Sequence, residues 1–259
     1  TATVRALRDS ELATLSAGTF ERVLFGHPEA ILRLARLTIE RLEDSAANSE
    51  RKRMPRTIAL IPQHGGVDLP AHAADISKAV AAFGRVDVVT SQRAGSHSSQ
   101  WFHELEARND FVVYVADAGD TPWTRLCLRQ ADVVLLIAHA ADAASGWPGI
   151  DSQEGATRHA ELLLVHQGSF VTGAATRWRK LLPGVPCHHL RRPRDIERLV
   201  RLLTGRAVGL VMSGGGARGF AHLGVVRALR EHGVPIDLVG GTSMGGILAA
   251  GVAADWSDA

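Results

Sequence analysis

The tract GGTSMGG, residues 240–246, sets a serine between two apolar runs, IDLV before it and ILAAGVAA after it. Gly241, Thr242, Ser243, Met244 and Gly245 satisfy G-x-S-x-G. This spacing suits a nucleophile on a sharp strand-to-helix turn. The turn pushes the hydroxyl into the open, and the flanking Gly241 and Gly245 remove side chains that would collide there. The helix that follows aims its first N–H groups at charge developing on a substrate oxygen. The expected chemistry is attack of Ser243 on a carbonyl through a covalent intermediate. A second tract, Ser213 to Gly219 (SGGGARG), also lies between strand-like and helix-like runs. Its Gly214, Gly215 and Gly216 let backbone N–H groups come close to an anion, as an oxyanion hole or a phosphate cradle.

The same tract satisfies G-x-G-x-x-G through Gly214, Gly216 and Gly219. A dinucleotide site needs an acid at the end of the second strand, about 20 residues on. That strand ends in GGTSMGG, and Asp237 stands at its start. No Gly-Lys-Ser/Thr follows, which excludes a Walker A loop. Two further readings stay open: a dinucleotide-binding protein and a non-catalytic regulatory or interaction module with a vestigial elbow. A serine nucleophile also needs a base. Asp255 and Asp258 are too near the elbow in sequence, and His222, on the helix after the glycine tract, is expected to be structural.

Both tracts need strands and helices to hold them, and the rest of the chain supplies the pattern. The 259 residues carry a net charge of +2, 46% hydrophobic and 22% charged residues, which is ordinary for a globular protein and too weakly basic for a nucleic-acid partner. Cys127 and Cys187 follow no metal spacing and are read as small hydrophobes in a reducing compartment. His188 and His189 have no sequence neighbours that read as zinc ligands. No signal peptide is read at the first residues, and no apolar run approaches the roughly 20 residues of a membrane span.

The expected fold class is α/β. Residues 1–44 read as helices, with Asp9 and Ser10 as caps and Pro28 opening a helix whose Ile31, Leu34, Ala35, Ile39 and Leu42 recur at helical spacing. Residues 45–55 read as an exposed basic linker. Residues 56–205 alternate β-branched strands (TIALIP, VDVVTS, FVVYVAD, DVVLLIAH) with amphipathic helices closed by Gly84 and Gly205, the pattern of a parallel sheet. RHAELLLVHQ fits either element. Arginines of the helix from Asp195 alternate with Ile196, Leu199, Val200, Leu202 and Leu203 and are expected to face solvent, with anionic lipid as the alternative partner. Residues 206–259 begin a second α/β unit, which should expose a sheet edge and associate through it.

GGGARG, GFAHLGVVRAL and GTSMG together resemble the patatin-like phospholipase family. The resemblance implies an α/β hydrolase domain, Ser243 as nucleophile, an oxyanion hole from Gly214, Gly215 and Gly216 supported by Arg218, and no metal or organic cofactor. It implies an aspartate as base, in an Asp-Gly-Gly/Ala motif well over a hundred residues after the serine. That base would lie beyond Ala259, and the 259 residues alone should be inactive. YVAD and TPWTRLCLRQAD resemble the region before the catalytic domain of neuropathy-target-esterase-like lysophospholipases. VRALRDSELATL through HPEAILRLARLTIERL resembles the C-terminal helices of a cyclic-nucleotide-binding domain, without its β-roll or phosphate cassette. Cyclic nucleotide is therefore expected only in a longer protein. TIALIPQHGGVDLP stands where a phosphate loop would be but lacks its lysine and hydroxyl, so 56–205 reads as a regulatory scaffold. There Trp123, Arg125, Gln130 and Asp132 are expected to cap helices and satisfy buried polar groups. The implied substrate is a lysophospholipid or phospholipid, met in the cytoplasm at a membrane surface.

Overall fold

The computed structural model describes residues 14–48, 55–95, 97–145 and 159–256. Asp9, Ser10 and Asp258 lie outside them, as do most of the linker and the segment 146–158. Residues 1–54 and 55–259 form two separate compact units. In the first, Ser16 caps α1 (Ala17–Gly26) by accepting from Thr19 N. Pro28 opens α2 (Pro28–Asn48) as expected, but the helix runs through Ser45–Asn48, four residues that the sequence assigns to the linker. Ala46 and Ala47 are strong helix formers, and propensity carries the helix past its apolar stripe. Ile31, Leu34 and Ile39 of that stripe are exposed.

The second unit holds a six-stranded, wholly parallel sheet in the order β2-β3-β1-β4-β5-β6. Its strands are β1 (Thr57–Pro62), β2 (Val86–Thr90), β3 (Phe111–Val115), β4 (Val133–His139), β5 (His159–Val165) and β6 (Cys187–Leu190). RHAELLLVHQ therefore resolves as a strand, held by parallel pairing with β4 from Val133↔His159 to His139↔Val165. The sheet is covered on both faces, so TIALIP is buried at every position instead of alternating. One face packs Ile58, Leu60 and Leu135 against α3 (Leu69–Val80) and α8 (Pro193–Leu203). The other packs Ala59, Ile61, Tyr114 and Leu136 against α4 (Ser91–Ala94), α5 (Ser99–Arg108), α6 (Pro122–Gln130) and α7 (Ala174–Leu181). Cys127 belongs to this core, where burial pushes its thiol pKa up, and Cys187 is half-buried.

Gly84 closes the helix region for a reason other than a left-handed cap. Its φ of 162° is ordinary extended backbone, but a Cβ there would lie 2.7 Å from the Asp110 Cβ. Gly205, at φ 65°, is a left-handed stop for α8. The polar residues of the middle region mostly serve the sheet. Asp132 Oδ2 accepts from the N–H groups of Arg56 and Thr57, and the Gln130 carbonyl accepts from Thr57 Oγ1. Trp123 Nε1 donates to the Val115 carbonyl, whereas Arg125 pairs with Asp120 at the surface.

His188 does have a carboxylate beside it. Its Nε2 lies 2.6 Å from Glu161 Oε2, and His159 Nε2 lies 2.9 Å from Glu161 Oε1. His166 and His189 form a second pair, Nε2 to Nδ1 at 2.8 Å. Val171 N donates to His166 Nδ1, so His166 carries its proton on Nε2 and donates it to His189. Burial pushes both pKa values down, aided for His166 by Arg191 and for His189 by His166. The folded state thus favours the neutral pair, while unfolded histidine titrates near about 6.5. Stability from the pair is present above that pH and is lost as pH falls through the lowered folded values. Melting temperature should decline below about pH 6.5, and less steeply in His189→Asn. Identical slopes in the two proteins would assign the decline to other groups.

Candidate active site

After α8 the chain forms a two-stranded parallel sheet, β7 (Gly209–Met212) and β8 (Leu238–Gly241), in register from Gly209↔Leu238 to Met212↔Gly241. Helix α9 (Ala221–Glu231) connects them, and α10 (Met244–Ala253) follows β8. Both glycine tracts thus leave the carboxyl ends of neighbouring parallel strands, where open α/β sheets build their sites. The first tract is not loop throughout: Gly216–Phe220 form a 3₁₀ turn that runs into α9. Val211, Leu238 and Ile247 are exposed on this second sheet and its helix.

Ser243 stands at the cap of α10 with φ 53° and ψ −125°. Among the described residues only Ser243 and Asp255 are non-glycine with positive φ. A serine held there is strained, and the neighbours that hold it are identifiable. A Cβ on Gly245 would fall 2.3 Å from the Met212 carbonyl oxygen, and one on Gly241 would fall 2.4 Å from the Gly245 carbonyl oxygen. Both elbow glycines are therefore required for space, not for a left-handed φ. Thr242 N donates to the Met212 carbonyl at 3.2 Å, which ties the turn to β7.

The glycine tract abuts the elbow. A Cβ on Gly214 would lie 3.1 Å from the Ser243 Cβ and 3.8 Å from its Oγ. Gly215 and Gly216 adopt φ 153° and 57°. Their N–H groups donate to no backbone acceptor among the described residues. Arg218 is exposed, and its N–H donates to the Gly215 carbonyl. His222 turns its Nε2 to the Ser213 carbonyl at 3.0 Å, which braces the tract from α9. No described carboxylate or imidazole hydrogen-bonds Ser243 Oγ. Asp255 instead accepts from Arg192 and Arg194.

Asp237, the acid weighed for a dinucleotide ribose, is occupied elsewhere. Its side chain is 1% exposed and is held by Arg201 Nε at 2.9 Å and Nη2 at 2.8 Å, with Val208 N at 2.9 Å. Burial alone would raise its pKa, but Arg201 and the Val208 N–H together pull it below the usual carboxylate range. This corrects the expectation for the α8 arginines. Arg198 and Arg201 do not face solvent; they reach across to the start of β8. The hydrophobic pattern located the apolar face of α8 but carried no signal for what its polar face meets.

Comparison with known proteins agrees with this layout. Residues 55–198 match the Neuropathy Target Esterase family P-loop like domain, and residues 210–259 match the patatin-like phospholipase family. The chain is 31% identical to patatin-like phospholipase domain-containing protein 7 of Mus musculus, over 96% of the chain and 23% of that protein. It is 31% identical to neuropathy target esterase sws of Drosophila grimshawi, over 96% of the chain and 21% of that protein. It is 30% identical to patatin-like phospholipase domain-containing protein 6 of Pongo abelii, over 96% of the chain and 23% of that protein. The chain spans less than a quarter of the length of these curated relatives. No helix among the described residues is long and apolar enough to cross a membrane. A six-stranded parallel domain in the family's P-loop-like region, followed by a patatin match that carries both glycine tracts, places this chain in the neuropathy target esterase family of patatin-like phospholipases.

Proposed function

We propose that this polypeptide carries the nucleophile half of a serine hydrolase for acyl esters of lysophospholipids or phospholipids. The observation that supports the reading is the seating of Gly214 against a strained Ser243, with Gly215 and Gly216 the next two residues of the tract. Ser243 Oγ attacks the ester carbonyl, and its proton passes to an aspartate supplied from outside these 259 residues. The oxyanion is held by the Gly215 and Gly216 N–H groups, with Gly214 and Arg218 supporting the loop. Collapse of the tetrahedral intermediate breaks the ester bond, and the leaving alcohol takes the proton. Water then releases the fatty acid from Ser243. His222 is a brace for the Ser213 carbonyl, not the base.

Residues 56–205 would act as the regulatory scaffold and residues 1–44 as the final helices of a cyclic-nucleotide-binding-type domain. The setting would be the cytoplasmic side of a lipid surface. Fatty-acid release from lysophosphatidylcholine by the full-length protein is expected to vanish in Ser243→Ala, together with fluorophosphonate labelling. Labelling that persists in Ser243→Ala would move the nucleophile elsewhere. Release from the 259 residues alone, lost in Ser243→Ala, would place the base within them.

A further inference from the structure

The segment from Asp237 to Asp255 contains β8, Ser243 and α10, and it is held at both ends by one helix of the other sheet. At its start, Arg201 forms a two-pronged pair with the buried Asp237 carboxylate, and Arg198 Nε donates to the Asp237 carbonyl at 2.8 Å. At its end, Arg192 Nη1 and Arg194 Nη2 reach Asp255 Oδ2 at 3.0 and 2.6 Å. Asp255, at φ 60°, is the left-handed stop after α10, where Trp256 N donates back to the Gly251 carbonyl. Ser243 sits between the two anchors. The opposite face of α8 is rooted in the six-stranded domain, where Ile196, Leu199, Val200 and Leu203 are buried against the core shared with α3. Asp237 also binds Val208 N, and its own N–H donates to the Val208 carbonyl, so β7 is fixed in the same grip.

We infer that α8 is a positioning clamp for the nucleophile elbow and that Arg201 is its principal positioning residue. The inference rests on Ser243 being the nucleophile. The P-loop-like domain thereby sets the reactivity of a serine it does not touch. Strand β8 ends two residues before Ser243, so a shift of Asp237 along the strand axis carries the hydroxyl away from the Gly215 and Gly216 N–H groups. Such donors act only when aligned with the developing oxyanion. A lysine at 201 keeps the charge but loses the planar fork that fixes Asp237 at two points.

The test compares Arg201→Lys, Arg201→Leu and the double variant Arg192→Ala/Arg194→Ala in the full-length protein. Fluorophosphonate labelling of Ser243 and lipid hydrolysis are measured well below the melting temperature. Arg201→Leu should label and turn over about 10- to 100-fold more slowly, by the sensitivity of catalysis to misplacement on the order of 1 Å. Arg201→Lys should fall between it and the wild type. In both, kcat should fall while KM stays constant, because the substitution acts at the start of β8, at the far end of the strand from Ser243. The double variant removes two half-exposed ion pairs to Asp255 and should slow labelling by about threefold, as expected for loosening only one anchor. Wild-type labelling rates in Arg201→Lys and in the double variant would overturn the clamp, as would a loss explained wholly by KM. Failure of the nucleophile reading looks different: Ser243→Ala would then retain labelling and turnover.

Discussion

Gly245→Ala is expected to silence Ser243 as completely as removal of the serine itself. The added methyl carbon would sit 2.3 Å from the Met212 carbonyl oxygen and 2.5 Å from that of Ser213. Both are backbone atoms at the end of β7, so no side chain can swing aside to admit it. Met212 also accepts from Thr242 N, and moving it breaks the tie between the strand and the turn. Relief must come from α10 sliding off β7, which takes Ser243 with it. Overpacking a core with one methylene costs about 1–3 kcal/mol when side chains can yield, so the backbone clash here should cost at least that. Labelling should fall at least about 100-fold, because the hydroxyl leaves the oxyanion donors. Gly240→Ala is the control: a methyl carbon there would have nothing within 4 Å, and labelling should stay near wild type. Near-ultraviolet circular dichroism from the tryptophans of the six-stranded domain should be unchanged in both. Wild-type labelling of Gly245→Ala would mean that α10 shifts without disturbing Ser243, and the required-space account of the elbow would be wrong.

The elbow was legible because everything that forms it is local. A strand, a turn and a helix within a few dozen residues place Gly214 on Ser243, and the residue types announce the turn. The parallel sheet was legible for the same reason, as short β-branched runs alternate with amphipathic helices. What escaped are contacts between distant residues. Glu161 and His188 meet only because β5 and β6 pair, and 27 positions separate them in the chain. Asp237 and Arg201 meet across two sheets, 36 positions apart. Helix α7 and strand β6 also carry no signal in the sequence. Helix α7, AATRWRKL, has only Ala174 and Trp178 buried, too few to register as a periodic stripe. Strand β6, CHHL, is four residues long and half polar, and only its register with β5 identifies it as a strand.

Replacing Trp178 should show how much that missed helix contributes. The side chain is 0% exposed and is among the largest fully buried ones, packed in the core shared by Tyr114, Leu136 and Leu164. The His64 ring meets it edge-on with centroids 6.0 Å apart. Trp178→Ala is expected to cost about 3–5 kcal/mol, the range for deleting a buried aromatic that leaves a cavity. The indole carries a second, opposing contribution. Its Nε1 is buried with no acceptor among the described residues, and an unsatisfied buried donor costs about 1–3 kcal/mol. Trp178→Phe removes that donor while keeping most of the packing, so it should cost less than half as much as the alanine change, with the smaller ring's cavity offset by the relieved donor. Urea unfolding followed by far-ultraviolet circular dichroism measures both. Equal losses in the two variants would mean that the indole N–H has an acceptor and contributes as a hydrogen bond. A small loss in Trp178→Ala would mean that α7 is a cover over the sheet and not part of its core. The clamp on Asp237 makes the same pair of variants informative for the elbow. The anchored face of α8 lies on the opposite side of the sheet from Trp178, so protein that remains folded should label at Ser243 at the wild-type rate.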